Sequence, residues 1–171
     1  MDKSSLRKTQ AEAFRTALLL GLVATEVVVK WVDGIIDEDA KPDISMIDVA
    51  MAGSRSTWEV ADLLSAVPGA ANVESVRFLV LCAVRDYLRA TPVSVRRMCE
   101  LLVTIRTEGL APSEKLRDRI SIIEDRLDLA ERRIHGDLGE ERTKTLAFLD
   151  DLCAAAQQAV AADEAAAGAL V

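Results

Sequence analysis

The apolar residues of this chain recur every three to four positions along most of its length, and that spacing decides the fold class. Leu116, Ile120, Ile123, Leu127, Ala130 and Ile134 alternate steps of four and three without a fault, and Leu146, Leu149, Cys153, Ala156 and Val160 do the same. This period gathers side chains on one face of an α-helix, whereas a strand would scatter them over both faces of a sheet. No segment shows the two-residue alternation of a half-buried strand. The expectation is therefore an all-α bundle of seven or eight helices, a single domain over residues 1–162. Its helices should pack as successive antiparallel pairs, ending in a heptad-patterned helical hairpin. An Ala-rich tail over 163–171 should fray.

The most apolar stretch, Leu18 to Ile36, is not a membrane segment. A span needs about 20 apolar residues, and Glu26, Lys30 and Asp33 interrupt this one. Over residues 6–37 one long helix or two are both open, and a break near Gly21 is favoured, with Thr25 as N-cap and Glu26 in the next first turn. Leu6, Ala13, Ala17 and Leu20 share a face before the break. After it, Val27, Val28, Trp31, Val32 and Ile35 form a wide apolar face suited to a central element.

Punctuation residues set the remaining boundaries. A short helix carrying Ile44, Ile47, Val49 and Met51 should stop at Gly53, and Ser56 with Glu59 makes a capping box leading into Trp58, Val60, Ala61, Leu63 and Leu64. Pro68-Gly69 reads as a turn and Asn72 as the next N-cap, ahead of a stripe at Val76, Val80, Ala83 and Tyr87 that Leu79, Val84 and Leu88 widen. Thr91-Pro92 should restart the chain, with Val95, Met98, Leu102 and Ile105 inward until Gly109. Ser113 opens the next helix, which should run to His135-Gly136, and Asp137 opens the last. Pairs such as Asp128 with Arg132 and Glu140 with Lys144 lace the outer faces.

Charge and composition exclude more than they assign. The chain has 171 residues and is 50% hydrophobic but only 4% aromatic, so its core must be aliphatic and rich in alanine. With 28 acidic and 21 basic residues the net charge is -7, which opposes general affinity for a phosphate backbone. Between Val76 and Thr107 the balance reverses: Arg77, Arg85, Arg89, Arg96, Arg97 and Arg106 face only Asp86 and Glu100. Pairing of these arginines with the acidic C-terminal hairpin, or with a protein, is preferred to a helix-turn-helix that reads DNA. The acid run Asp37, Glu38 and Asp39 lacks the alternating ligands and turn glycine of a calcium loop and reads as a solvated helix end.

No reaction centre is visible. His135, the one histidine, lies beside Gly136 at an expected helix end, where capping the last carbonyls suits it better than catalysis. Cys82, Cys99 and Cys153 are far apart and form no C-x-x-C pair, so they read as reduced core thiols of a cytoplasmic protein with no targeting segment. No cofactor or metal motif is present, and neither catalytic, cofactor-binding nor metal-ligating residues are assigned.

Trp31, Asp33 and Ile36 form a W-x-D-x-x-I segment. It resembles a segment of small all-helical bacterial proteins of unknown function. The resemblance implies a helical fold and carries no activity. In such a place Trp31 would plug a helix crossing, with its indole N–H or the Asp33 carboxylate serving a helix end.

The function expected is a non-catalytic, cytoplasmic protein-interaction module of the immunity or antitoxin kind, offering an acidic surface to a basic partner. Its candidate surface residues are Asp37, Glu38, Asp39, Arg85, Arg89, Arg96 and Arg97. A regulatory helical domain with an apolar ligand pocket is the alternative, and nucleic-acid contact through the Arg-rich middle is third. Neither a membrane nor a nucleic acid is the expected partner, and self-association is left open.

Overall fold

A computed structural model describes residues 2–168, with side chains as far as residue 162. Eight helices and no strand occupy these residues: α1 (Lys3–Leu19), α2 (Thr25–Glu38), α3 (Ile44–Ala50), α4 (Thr57–Ser65), α5 (Val73–Ala90), α6 (Val95–Thr107), α7 (Glu114–Glu131) and α8 (Leu138–Gly168). The chain divides into two compact units between Val76 and Arg77, a few residues into α5. The backbone of α8 is helical to Gly168. The expected fraying concerns side chains from residue 163 and a backbone from residue 169 that lie outside the described residues.

In the first unit, α1 and α2 are separate helices. Gly21, with φ 63°, donates its N–H to Leu18 O at 2.9 Å, while Leu22 donates to Ala17 O at 2.9 Å. These two bonds satisfy carbonyls that the end of α1 leaves free, and the positive φ suits glycine. The restart differs from expectation: Ala24, which has no capping side chain, is the N-cap, and Thr25 is already helical. α1 packs on α4, α2 on α3, and α3 on α4. Their shared core contains Ala11, Leu18, Val28, Val32, Met46, Val49, Val60 and Leu64, with Phe14, Trp31 and Ile35 partly buried against it.

Polar ties hold the Pro68 to Asn72 turn against the start of α1. Ser5 Oγ donates to Ala70 O at 2.6 Å, and Asn72 N–H donates to the buried Thr9 Oγ1 at 2.9 Å. Gly69 is needed there, since its φ is 122° and a Cβ would lie 2.8 Å from Ser4 O. Asn72 caps α5 as expected, its Oδ1 accepting from Ser75 N–H at 2.7 Å.

In the second unit, α7 packs on both α6 and α8. Val80, Val84 and Leu88 are buried in α5 as expected, joined by Leu81, while Ala83 and Tyr87 are half-buried and Leu79 is exposed. Val95, Met98, Leu102 and Ile105 are buried in α6 as the spacing requires. Its N-cap is Ser94, which accepts from Arg97 N–H at 3.2 Å, while Thr91-Pro92 stays in the connection. Ile120, Leu127 and Ala130 are buried in α7, and Thr145, Phe148, Leu149, Leu152, Cys153 and Ala156 in α8. The outer pairs form at 2.9 Å for Asp128 with Arg132 and 2.8 Å for Glu140 with Lys144.

The end of α7 falls four residues before the expected one. Arg133 takes φ 56°, its N–H donates to Ala130 O at 3.1 Å, and Ile134 N–H donates to Leu129 O at 2.9 Å. An arginine thus occupies the left-handed position that usually goes to glycine. His135 contributes its backbone N–H, 3.3 Å from Leu129 O, and is exposed. Asp137 caps α8, accepting from Glu140 N–H at 3.0 Å.

Candidate functional site

The acid run splits into different roles. Asp39 follows α2 and accepts from Arg7 at 2.7 Å, with Lys3 at 3.8 Å. The Arg7 guanidinium, followed by the Lys41 backbone N–H, holds its carboxyl below the ordinary aspartate range. Asp37 and Glu38 are exposed in the last turn of α2. Asp43 is used locally, accepting from Ser45 Oγ at 2.6 Å and from Ser45 N–H at 2.9 Å as the cap of α3. Among the described residues, no three His, Cys, Asp or Glu side chains gather so as to hold a metal ion.

The four arginines of the expected surface belong to the second unit and are engaged within it. Arg89 lies 2.6 Å from Asp150, and Arg85 lies 2.8 Å from Asp86 and 4.0 Å from Asp150. Arg96 and Arg97 converge on Glu100 at 3.1 and 3.5 Å. Of the other two in the segment, Arg106 faces Glu124 at 3.6 Å and Arg77 donates to Gly109 O at 3.1 Å. Acids from α5, α6, α7 and α8 thereby neutralise the basic segment. The acid run and these arginines do not meet within either unit.

The first unit exposes several large apolar side chains. Of the apolar residues that mark the short helix, Ile44 is 76% and Met51 75% exposed, while Val49, together with Met46, faces the core. Trp58, in the first turn of α4, is 71% exposed. The short α3 is apolar on two faces, at Met46 and Val49 and at Ile44 and Ile47, and spacing alone cannot say which one is covered. Residues 43 to 62 also carry Asp43, Asp48, Glu59 and Asp62 against Arg55. The exposed apolar side chains thus lie in a stretch of sequence that is interspersed with carboxylates.

Trp31 does meet another helix: its ring lies 4.7 Å from that of Phe14 in α1. Asp33 is exposed in the middle of α2, and the side-chain caps come instead from Asp2, Asp43, Ser56, Asn72, Ser94, Ser113 and Asp137. No protein-family model matches the chain, and no curated protein or solved structure matches it.

A groove of about 610 Å³ runs beside α6 and α7, with Val95, Cys99 and Val103 lining it together with Arg96, Glu100, Asp128 and Glu131. Burial, and then the nearby carboxylates led by Glu124, push the Cys99 thiol above its ordinary value. Arg96, Glu100, Asp128 and Glu131 place charged groups along an otherwise largely apolar lining. Among the described residues, no helix is long and apolar enough to cross a membrane.

Proposed function

We propose that the chain is a non-catalytic protein-interaction module that offers the outer face of α3 and Trp58 to a basic, amphipathic protein partner. One observation carries this reading: Ile44, Met51 and Trp58 expose most of their apolar surface within a stretch of sequence interspersed with four carboxylates. Large exposed apolar groups lose the most water when covered, and tryptophan is prominent among interface residues that dominate affinity. Carboxylates around them favour cationic partners and speed their approach.

A cytoplasmic setting, an immunity or antitoxin role and a bacterial origin belong to the same reading, the last resting on Trp31, Asp33 and Ile36. We further take the helices as successive antiparallel pairs, closing with a heptad-patterned hairpin of α7 and α8. The 3.9 Å approach of Arg119 to Asp151, and its position over the Phe148 ring at 4.8 Å, support that alignment.

The test uses two amphipathic helical peptides that share a leucine face and differ in carrying lysine or glutamate opposite it. The lysine peptide should shift the amide signals of α3 and the indole signal of Trp58, with an affinity that falls as salt is raised. Ile44→Asp and Met51→Asp should abolish those shifts. Equal binding of both peptides, shifts mapping to the second unit, or variants that bind like the parent would remove the basis for the reading. Loss of the same signals on concentrating the protein without peptide would replace it with self-association.

A further inference from the structure

Three contacts in the second unit fix how α5 and the residues after it run along α8. Arg142 Nη2 donates to Val93 O at 2.6 Å, Arg89 reaches Asp150 at 2.6 Å, and Arg85 approaches Asp150 at 4.0 Å. The contact moves from residue 142 to 150 in α8 as it retreats from 93 towards 85. One further turn in each helix leads to Cys82 and Cys153, whose thiols adjoin closely enough for Cys82 to raise the pKa of Cys153. Both are free cysteines. They lie too far apart in sequence to suggest a pair, and the side-chain contacts between α5 and α8 at Asp150 bring their positions together.

We propose that Cys82 and Cys153 form a reversible dithiol/disulfide pair, oxidised by a hydroperoxide, that clamps α5 to α8. Their environments divide the work. Cys82 is half-buried, whereas Cys153 is only 4% exposed, so an oxidant entering from solvent meets Cys82 first. Arg85 places a positive charge beside both sulfurs, where negative charge develops as the peroxide bond breaks. Burial, and then the adjoining Cys82, push the Cys153 thiol up to about 12, so Cys153 stays a protonated thiol in the first step and leaves the peroxide to Cys82.

In the first step the Cys82 sulfur attacks one oxygen of hydrogen peroxide. The O–O bond breaks, leaving a sulfenic acid on Cys82 and releasing water. The Cys153 sulfur then attacks the sulfenic sulfur, the S–O bond breaks, and the Cys153 proton leaves with the hydroxyl group as a second water. Two thiols and one peroxide become one disulfide and two waters. A dithiol such as dithiothreitol reverses the change and ends as its own cyclic disulfide. The bond would close the chain from α5 through α6 and α7 to α8, restricting the unfolded chain and raising the temperature at which this unit melts.

The experiment treats the native, full-length protein with hydrogen peroxide, blocks remaining thiols, and reads the intact mass and a non-reducing peptide map. The expected result is a loss of two hydrogens per chain, one cross-linked peptide pair containing Cys82 and Cys153, a raised melting temperature, and full reversal by dithiothreitol. Cys99 faces carboxylates and no second thiol, so Cys99→Ser should form the same link. Cys153→Ser should leave Cys82 as a sulfenic acid that dimedone captures. If that variant does not fold, the wild-type peptide map decides. Intact thiols, a Cys82 that stops at the sulfinic acid, a link to Cys99, or a disulfide between two chains would each overturn the proposal.

Discussion

Arg133 is the one described residue other than glycine with a positive φ, 56°. A left-handed conformation crowds the Cβ of an ordinary residue at a cost of about 1–2 kcal/mol, while glycine loses roughly 0.5–1 kcal/mol more backbone freedom on folding. Arg133→Gly should therefore stabilise the protein by up to about 1 kcal/mol, and Arg133→Val should destabilise it, both measured by denaturant unfolding. Equal stability of all three proteins would contradict the left-handed assignment. Gly69 presents the opposite case, because Gly69→Ala meets both φ 122° and Ser4 O at 2.8 Å. It should cost on the order of 1–3 kcal/mol. Leu127 and Leu149 are fully buried on stripes that the spacing identified, and replacing either by Ala should cost about 2–5 kcal/mol. These four sites differ in legibility for a physical reason. Leucines on a regular stripe announce themselves, and Pro68-Gly69 announces a turn. An arginine in a glycine's conformation leaves no mark, so the end of α7 was placed at Gly136.

At the scale of an element, α4 shows how a local signal controls a start. Ser56 Oγ accepts from Glu59 N–H at 3.4 Å, and the Glu59 carboxylate accepts from Ser56 N–H at 2.9 Å and Ser56 Oγ at 2.6 Å. The Ser56 hydroxyl, followed by its backbone N–H, lowers the Glu59 pKa below the ordinary glutamate value. A carboxyl depressed in the folded state adds stability that is complete above its unfolded pKa and vanishes as the pH falls through the folded one. The stability difference between the parent and Glu59→Gln should be largest near neutrality and close between about pH 5 and 3, as followed by denaturant unfolding at each pH. A difference independent of pH would show that the carboxylate does not cap α4. Ser56→Ala should cost about 1 kcal/mol at neutral pH. This start was legible because both partners of the box are local in sequence. The start of α6 was not, because Thr91-Pro92 and Ser94 offer competing signals three residues apart and the chain uses the second. Likewise α3 was legible as a helix while its covered face was not, since the packing of α2 and α4 decides that face.

At the scale of the whole molecule, net charge and the placement of charge answer different questions. The chain carries -7 overall, and its one basic segment spends its arginines on Asp86, Glu100, Glu124, Asp150 and the Gly109 carbonyl. The preference for pairing was legible from the acidity of the C-terminal helices, but the partner of each arginine follows from helix packing. A phosphate backbone would have to break those contacts while approaching an acidic molecule, and binding through the segment would release counterions and so depend steeply on salt. The expected outcome is negligible binding of duplex DNA or single-stranded RNA in a mobility-shift assay, even at low ionic strength. Replacing Asp150 by Asn should free Arg89, while Arg85 keeps Asp86, and increase any residual retention without making it tight, because the overall charge stays negative. Tight, salt-sensitive binding by the parent, lost when Arg85, Arg89, Arg96 and Arg97 are replaced by Ala in a protein whose circular dichroism is unchanged, would place nucleic acid ahead of a protein partner.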